Sequence, residues 1–318
     1  MAVPFLLAPM AELSHRPLRE LIESFKHPSA SESTSAGNAA GADEYFTEMI
    51  SAGAFVNSGP FEEWYVDAGP APEKVVFQLL GADPELLARA VIKLDRKECR
   101  GIDINMGCSA PAIRRTGAGV MWMADIDKAG NLIRRLRPLT RRRLSVKLRI
   151  GLTDDFGYLV RFCRRLEEEG IDLITLHPRT AKEKFKRKAR WDYISALRKE
   201  LKIPLAGNGD IASAEEMLRR AKECDAVMIG RLAVRCPWVF AVPGTKTVTD
   251  AFLEETGLKF LELLSRYQPP EFHVSRARRF FSYFCDNLKW GNYVKNLLNR
   301  ENDLAGIEKA WCASFANP

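Results

Sequence analysis

Short apolar runs alternate along this chain with longer stretches whose apolar positions recur every three or four residues. The runs are Phe5–Ala8, Tyr45–Glu48, Val75–Leu79, Gly101–Asn105, Leu144–Arg149, Leu173–His177, Ile203–Ala206 and Ala226–Ile229. Most are continuously apolar and bounded by glycine, proline or a polar cluster, as parallel strands buried on both faces should be. The intervening stretches read as amphipathic helices with recognisable ends. Asp83-Pro84 supplies an N-cap followed by proline, Ser213 with Glu216 forms a capping box, and Gly170 closes the helix carrying Phe162 and Leu166.

Eight strands with helices between them predict an α/β fold, a (β/α)8 TIM barrel. An open doubly wound sheet is the competing arrangement. It is disfavoured because the first strand runs into Ala8-Pro9-Met10, with no Gly-x-Gly-x-x-Gly after it. Two segments interrupt the alternation. Ser29–Gly41 is small and polar throughout and reads as a flexible connection. After Phe240 the strands stop, and a Pro/Gly/Thr linker, Pro243–Thr249, leads into the helical pattern of Asp250–Pro318. The expected division is a barrel over residues 1–242 and a small helical domain over residues 243–318.

Composition narrows the class. The chain of 318 residues is 46% hydrophobic and 28% charged, without an apolar run long enough to span a bilayer. Its opening residues, Met1–Pro9, read as a first strand rather than a signal peptide. Seven scattered cysteines, an odd number with no metal-ligand spacing, predict reduced thiols, a cytoplasmic setting and no metal. A net charge of +7 permits a polyanionic partner.

Candidate chemistry gathers at the expected carboxyl ends of the strands, the rim where barrels bind ligands. Cys108 follows Asn105-Met106-Gly107 at the end of the fourth strand, a poor place for a structural cysteine and a good one for a nucleophile or proton donor. An unperturbed thiol, with a pKa near ~8.5, is mostly protonated at neutral pH and needs no activating histidine to donate. Asn208-Gly209-Asp210 after the seventh strand and Gly230-Arg231 after the eighth occupy the usual phosphate-binding positions. Alternation sends Lys147 and Arg149 to the lumen, where a lysine is costly unless it meets an anionic or polar ligand. Gln78 and His177 sit at further strand ends. Together these groups suit a flavin mononucleotide.

The ordered set Ala8-Pro9-Met10, Gln78, Asp103-x-Asn105-x-Gly107-Cys108, Gly117-x-Gly119, Lys147-x-Arg149, His177-x-Arg179-Thr180, Gly207-Asn208-Gly209-Asp210 and Gly230-Arg231 resembles the tRNA-dihydrouridine synthases. The resemblance covers the whole barrel, and the helical tail is similar in kind to that family's RNA-binding bundle. It implies FMN, reduced by NADPH, and reduction of a tRNA uridine to 5,6-dihydrouridine. By that pattern Cys108 protonates carbon 5 and Asn105 positions the uracil. Pro9, Met10, Gln78, Lys147, His177, Asn208, Gly209, Asp210, Gly230 and Arg231 would hold the flavin. Arg149 and Arg179 would face the substrate. The chain departs from the pattern in lacking a proline directly after Cys108, in reading His177-Pro178-Arg179-Thr180, and in carrying Arg190 before Trp191.

Two basic runs compete for the RNA. Lys182–Arg190 follows the sixth strand on the catalytic rim, so Lys186 and Arg187 are the expected contacts. Arg134–Arg143 lies on the opposite rim and reads as solvated. Arg276, Arg278 and Arg279 add a cationic helix face in the tail. The expected partner is tRNA, with no membrane, and the chain is expected to be a monomer. Two other readings stay open: an FMN-barrel reductase of free pyrimidines, resembling the dihydroorotate dehydrogenases, and a non-catalytic tRNA-binding module.

Overall fold

The eight apolar runs close on themselves in chain order as one parallel barrel, β1 (Phe5–Leu7), β2 (Glu44–Ser51), β3 (Val75–Leu80), β4 (Gly101–Met106), β5 (Arg143–Gly151), β6 (Leu173–Thr180), β7 (Leu205–Asn208) and β8 (Ala226–Ile229). The computed structural model describes residues 3–25, 41–183, 186–241 and 248–316. The expected flexible connection, apart from Gly41, and the expected domain boundary at residues 242 and 243 lie outside them. The α/β barrel and the helical C-terminal region are those expected. β7 begins two residues later than its apolar run because Pro204 has no N–H to give the ladder. The amides of Lys202 and Ile203 donate instead to Glu167 Oε1, at 2.7 and 2.8 Å.

The inside of the barrel is split by chemistry. Leu6, Phe46, Val76, Leu173, Ala206, Ala226 and Met228 pack a small apolar cluster. Against it stand the fully buried polar residues Gln78, Asp103, Ser145 and Thr175. Strand register puts Gln78 beside Asp103 and Asp103 beside Ser145, so these three form one layer. The next layer toward the carboxyl rim holds Asn105 beside Lys147. The larger core lies between the strands and the surrounding helices and runs on into the C-terminal region.

At the opposite rim the run Arg134–Arg143 is not merely solvated, as its charge alone suggested. Arg134 pairs with Glu169 at 2.6 Å, Arg137 with Asp172 at 2.7 Å, and Arg135 and Arg143 pair with Glu85 and Glu44. Arg142 donates to the carbonyls of Cys99 and Lys97, both at 3.0 Å. The run ties adjacent loops and helix ends together.

Four helices, Asp250–Tyr267, Pro270–Phe284, Gly291–Leu298 and Leu304–Ala316, build the C-terminal region. They bury Phe260, Phe280, Phe281, Phe284 and Trp311, with Phe260 stacked on Phe280 at 3.8 Å between centroids. Phe252 packs on Trp238 of the barrel at 4.9 Å. Arg276, expected on the cationic face, is instead 3% exposed and bonded to Glu48 of β2 at 2.8 Å. It pins the helical region to the barrel. Among the described residues no helix is long and apolar enough to cross a membrane.

Candidate active site

Asn105, the penultimate residue of β4, organises the turn beyond it. Its carboxamide oxygen accepts from the amides of Gly107 at 3.1 Å and Cys108 at 2.9 Å, while its Nδ2 donates to Gln78 Oε1 at 2.8 Å. Gln78 Nε2 donates in turn to Asp103 Oδ2 at 2.7 Å, and Ser145 Oγ donates to Asp103 Oδ1 at 2.6 Å. Burial pushes the Asp103 carboxyl up to about 6. Gln78 therefore lies fully buried below Asn105 and away from the cavity wall where a flavin contact was expected.

Two further groups hold the cysteine turn. The Val120 amide donates to Cys108 O at 3.0 Å. Gly119 makes that approach possible: its φ is +61° and a Cβ there would lie 2.5 Å from Cys108 O. From β5, Arg149 donates to Gly107 O at 3.0 Å and to Thr180 O at 3.3 Å. Arg149 lines the cavity but gives these donors to the backbone of the turn and of β6.

Lys147 lies beside Asn105 and near Cys108. Desolvation, and then the charge of Arg149, lower its pKa to about 8. On β6, burial and the surrounding cations Lys147, Arg149, Arg179 and Arg231 hold His177 well below its usual range, so its ring is neutral. Arg179 Nη1 donates to His177 Nε2 at 2.9 Å, and because a guanidinium only donates, the imidazole proton belongs on Nδ1. Arg179 itself sits behind His177, paired with Asp210 at 2.5 Å, and is 2% exposed, so it braces the site from behind and does not line the cavity.

The turn after β7 is tightly drawn. Asp210 has φ +54°, a left-handed conformation costly for a side-chain-bearing residue. Arg179, the Ala189 amide at 2.8 Å and Arg231 at 3.2 Å all bind its carboxylate. The preceding Gly209, at φ +124°, leaves no room for a side chain: a Cβ would stand 2.9 Å from the His177 ring. Trp191 supports the same turn by donating to Gly209 O at 2.9 Å, and Asn208 ties it to Met228 O at 2.7 Å.

These elements enclose a cavity of about 420 Å³, within the usual range for small-ligand sites. Of the expected site residues, Pro9, Met10, Asn105, Cys108, Lys147, Arg149, His177, Asn208, Gly209, Asp210, Gly230 and Arg231 line it. Gln78 and Arg179 form the layer behind, and Lys186 and Arg187 are exposed on the loop after β6, outside the wall. The sequence reading missed Leu13, Met49 and Ile211, which make the wall apolar, and Tyr283 altogether; Arg279 was expected only on the tail surface. A larger groove of about 1210 Å³ between the first barrel helix and the C-terminal helices contains neither a strand end nor a cysteine.

A family model described as Dihydrouridine synthase (Dus) matches residues 6–282, which takes in every cavity-lining residue except Tyr283. A protein described as a probable tRNA-dihydrouridine synthase from Aquifex aeolicus is 32% identical over 269 residues, 82% of this chain and 78% of that one. One of the same description from Rhizobium leguminosarum bv. phaseoli is 34% identical over 318 residues, 98% of this chain and 90% of its own length. With the match running from β1 into the last turn of the Pro270–Phe284 helix, the chain belongs to the dihydrouridine synthase family.

Proposed function

We propose that this chain reduces uridines of tRNA to 5,6-dihydrouridine, with FMN in the rim cavity, NADPH as its reductant, and Cys108 as the proton donor. One observation carries the reading. Cys108, Asn105 and Lys147 converge on a cavity whose far side is the Gly209 and Gly230-Arg231 turns.

The residues fit the flavin. Met10, Met49 and Ile211 offer an apolar face for a flat ring system, Lys147 a cation, and Gly209 and Gly230 let backbone approach a phosphate beside Arg231. Pro9, His177, Asn208 and Asp210 complete that seat, Asp210 by orienting Arg231. When bound, reduced FMN supplies a hydride to carbon 6 of the pyrimidine.

Cys108 then gives its thiol proton to carbon 5 and regains one from solvent, so the product gains two hydrogens. Asn105 keeps the thiol-bearing turn in place through its carbonyl oxygen. The Lys147 ammonium opposes the negative charge that develops on the pyrimidine as hydride arrives. The neutral His177 adds no further positive charge to a site already crowded with cations. A uridine must leave its stack to enter, at a cost of a few kcal/mol. The C-terminal helical domain, residues 243–318, and the exposed Lys186 and Arg187 would offset that cost by holding the rest of the RNA.

The test is to incubate the purified protein with FMN, NADPH and an unmodified tRNA transcript, then measure dihydrouridine by mass spectrometry. The wild type should take up the flavin and form dihydrouridine; Cys108→Ala should keep flavin and tRNA binding while losing most turnover. A protein that takes up no FMN, or that reduces free uracil or orotate and leaves tRNA untouched, would overturn the proposal.

A further inference from the structure

The cavity is not closed by the barrel alone. Tyr283 and Arg279, both on the Pro270–Phe284 helix, form part of its wall. They are four residues apart and so lie on one helix face, with the Arg279 guanidinium 5.6 Å from the Tyr283 ring centroid. The opposite face of that helix carries Ala277, Phe280, Phe281 and Phe284, all buried in the aromatic core. Two bonds to the barrel set where this helix stands: Arg276 to Glu48 at 2.8 Å, and Asn287 Nδ2 to Arg235 O at 2.6 Å.

The three arginines of this helix have different partners. Arg276 is spent on Glu48, and Arg278 donates to Glu301 O at 2.6 Å. Arg279 has no carboxylate or carbonyl partner among the described residues and is exposed at the cavity mouth. Tyr283 is half-buried, and its hydroxyl has no hydrogen-bond partner among the described residues. A phenol ring and an unneutralised cation side by side at a cavity mouth are poorly explained as packing. They match the two parts of an everted nucleotide, an aromatic base and its phosphate.

Resting on the function proposed above, we infer that Tyr283 stacks against the everted uracil and that Arg279 binds a phosphate flanking it. The C-terminal helix thus supplies part of the substrate site, and positions the base over the flavin seat as well as the RNA over the rim. Tyr283 and Arg279 act here as positioning residues; the proton still comes from Cys108.

The experiment compares Tyr283→Ala, Tyr283→Leu, Tyr283→Phe and Tyr283→Trp in the flavin-loaded enzyme, reading flavin content, kcat and KM on tRNA. Stacking predicts a loss in kcat/KM of about 10- to 100-fold for both Ala and Leu, with flavin content retained and Phe and Trp within about threefold of wild type. Arg279→Ala should lower the slope of log affinity for tRNA against log salt by about one, and Arg279→Lys should preserve it. Equal turnover in Tyr283→Ala would overturn the inference, as would full rescue by Leu or a loss of flavin in place of tRNA turnover. A wild-type enzyme that forms no dihydrouridine would sink the functional reading itself, whereas an active wild type matched by Tyr283→Ala sinks only this inference.

Discussion

The Asn105 carboxamide oxygen accepts the backbone N–H of Cys108 at 2.9 Å, so the penultimate residue of β4 also suspends the turn carrying the thiol. The direction of this bond is set two residues away. Ionised Asp103 can only accept, which turns Gln78 Nε2 toward it and leaves Gln78 Oε1 to accept from Asn105 Nδ2. Asn105 is then oriented with its oxygen toward the turn. A buried carboxylate thereby fixes the placement of a cysteine it does not touch.

Asn105→Leu should separate placement from binding. It removes the acceptor for two amides and leaves Gln78 Oε1 unpartnered. Displacement of a reacting group by about 1 Å can cost on the order of 100-fold. The expected outcome is a loss of that size in single-turnover dihydrouridine formation, with flavin retained. Turnover within threefold of wild type would contradict the suspension of the turn.

Gln78→Leu makes the complementary statement about stability. Asp103, fully buried, loses one donor, and Asn105 Nδ2, largely buried at the cavity wall, loses its acceptor. Each orphaned group costs about 1–3 kcal/mol. Chemical denaturation of the flavin-free protein should show a loss of several kcal/mol, whereas Asp103→Asn, which can still accept from Gln78 and donate to Ser145, should lose much less. Similar losses in the two variants would argue against the chain of bonds.

Strand positions were legible because continuous apolar runs mark buried strands, and Cys108 was legible because a Gly-Cys turn at a strand end has no place in a core. Depth was not legible. Alternation sends both Gln78 and Asn105 inward, but only strand register shows that Gln78 belongs to the layer of Asp103 and Ser145, below the cavity. Arg179 misled for a similar reason, since inward-pointing does not mean cavity-facing when Asp210 and His177 claim the guanidinium. Arg276 and Arg279 are the same residue type on one helix, and their separate fates depend on Glu48, more than 200 residues away in the chain. No local pattern encodes that partner.

The Glu48–Arg276 pair should matter more than a surface pair, because its side chains are only 4% and 3% exposed. Arg276→Met leaves a buried carboxylate unpaired, at a cost of about 3–5 kcal/mol. Burial already raises the pKa of Glu48, so the folded protein holds this proton more tightly than the unfolded chain. Stability from such a group falls as pH rises, and losing Arg276 raises that folded pKa further. The deficit of Arg276→Met should thus be largest at neutral pH and shrink toward pH 5. A pH-independent deficit would contradict burial of the ionised pair, and the double variant Glu48→Leu/Arg276→Met should recover much of the loss.

Charge reversal tests which face meets RNA. Lys186 and Arg187 are exposed on the catalytic rim, while Arg141 is exposed on the opposite one. Arg141 is the proper control because its neighbour Arg142 holds two backbone carbonyls. In filter binding at about 0.1 M salt, Lys186→Glu/Arg187→Glu should weaken tRNA binding by an order of magnitude or more, and Arg141→Glu by less than twofold. Equal losses would move the RNA off the catalytic rim.

Lys147 offers a sign that can be checked in both directions. Its folded pKa of about 8 lies below that of an unfolded lysine, near ~10.4, so the folded protein binds this proton less tightly. In the flavin-free protein the half-buried ammonium is a cost, fully present below about pH 8 and relieved as pH rises toward about 10. Lys147→Met should accordingly exceed wild type in stability by up to about 3 kcal/mol at pH 7, with the gap closing by pH 10. Turnover should run the opposite way. The ammonium that destabilises the empty protein is the charge that the proposed reduction calls on, so Lys147→Met should lose most of the single-turnover rate at pH 7. A Lys147→Met rate within threefold of wild type at pH 7 would leave Lys147 a structural cation.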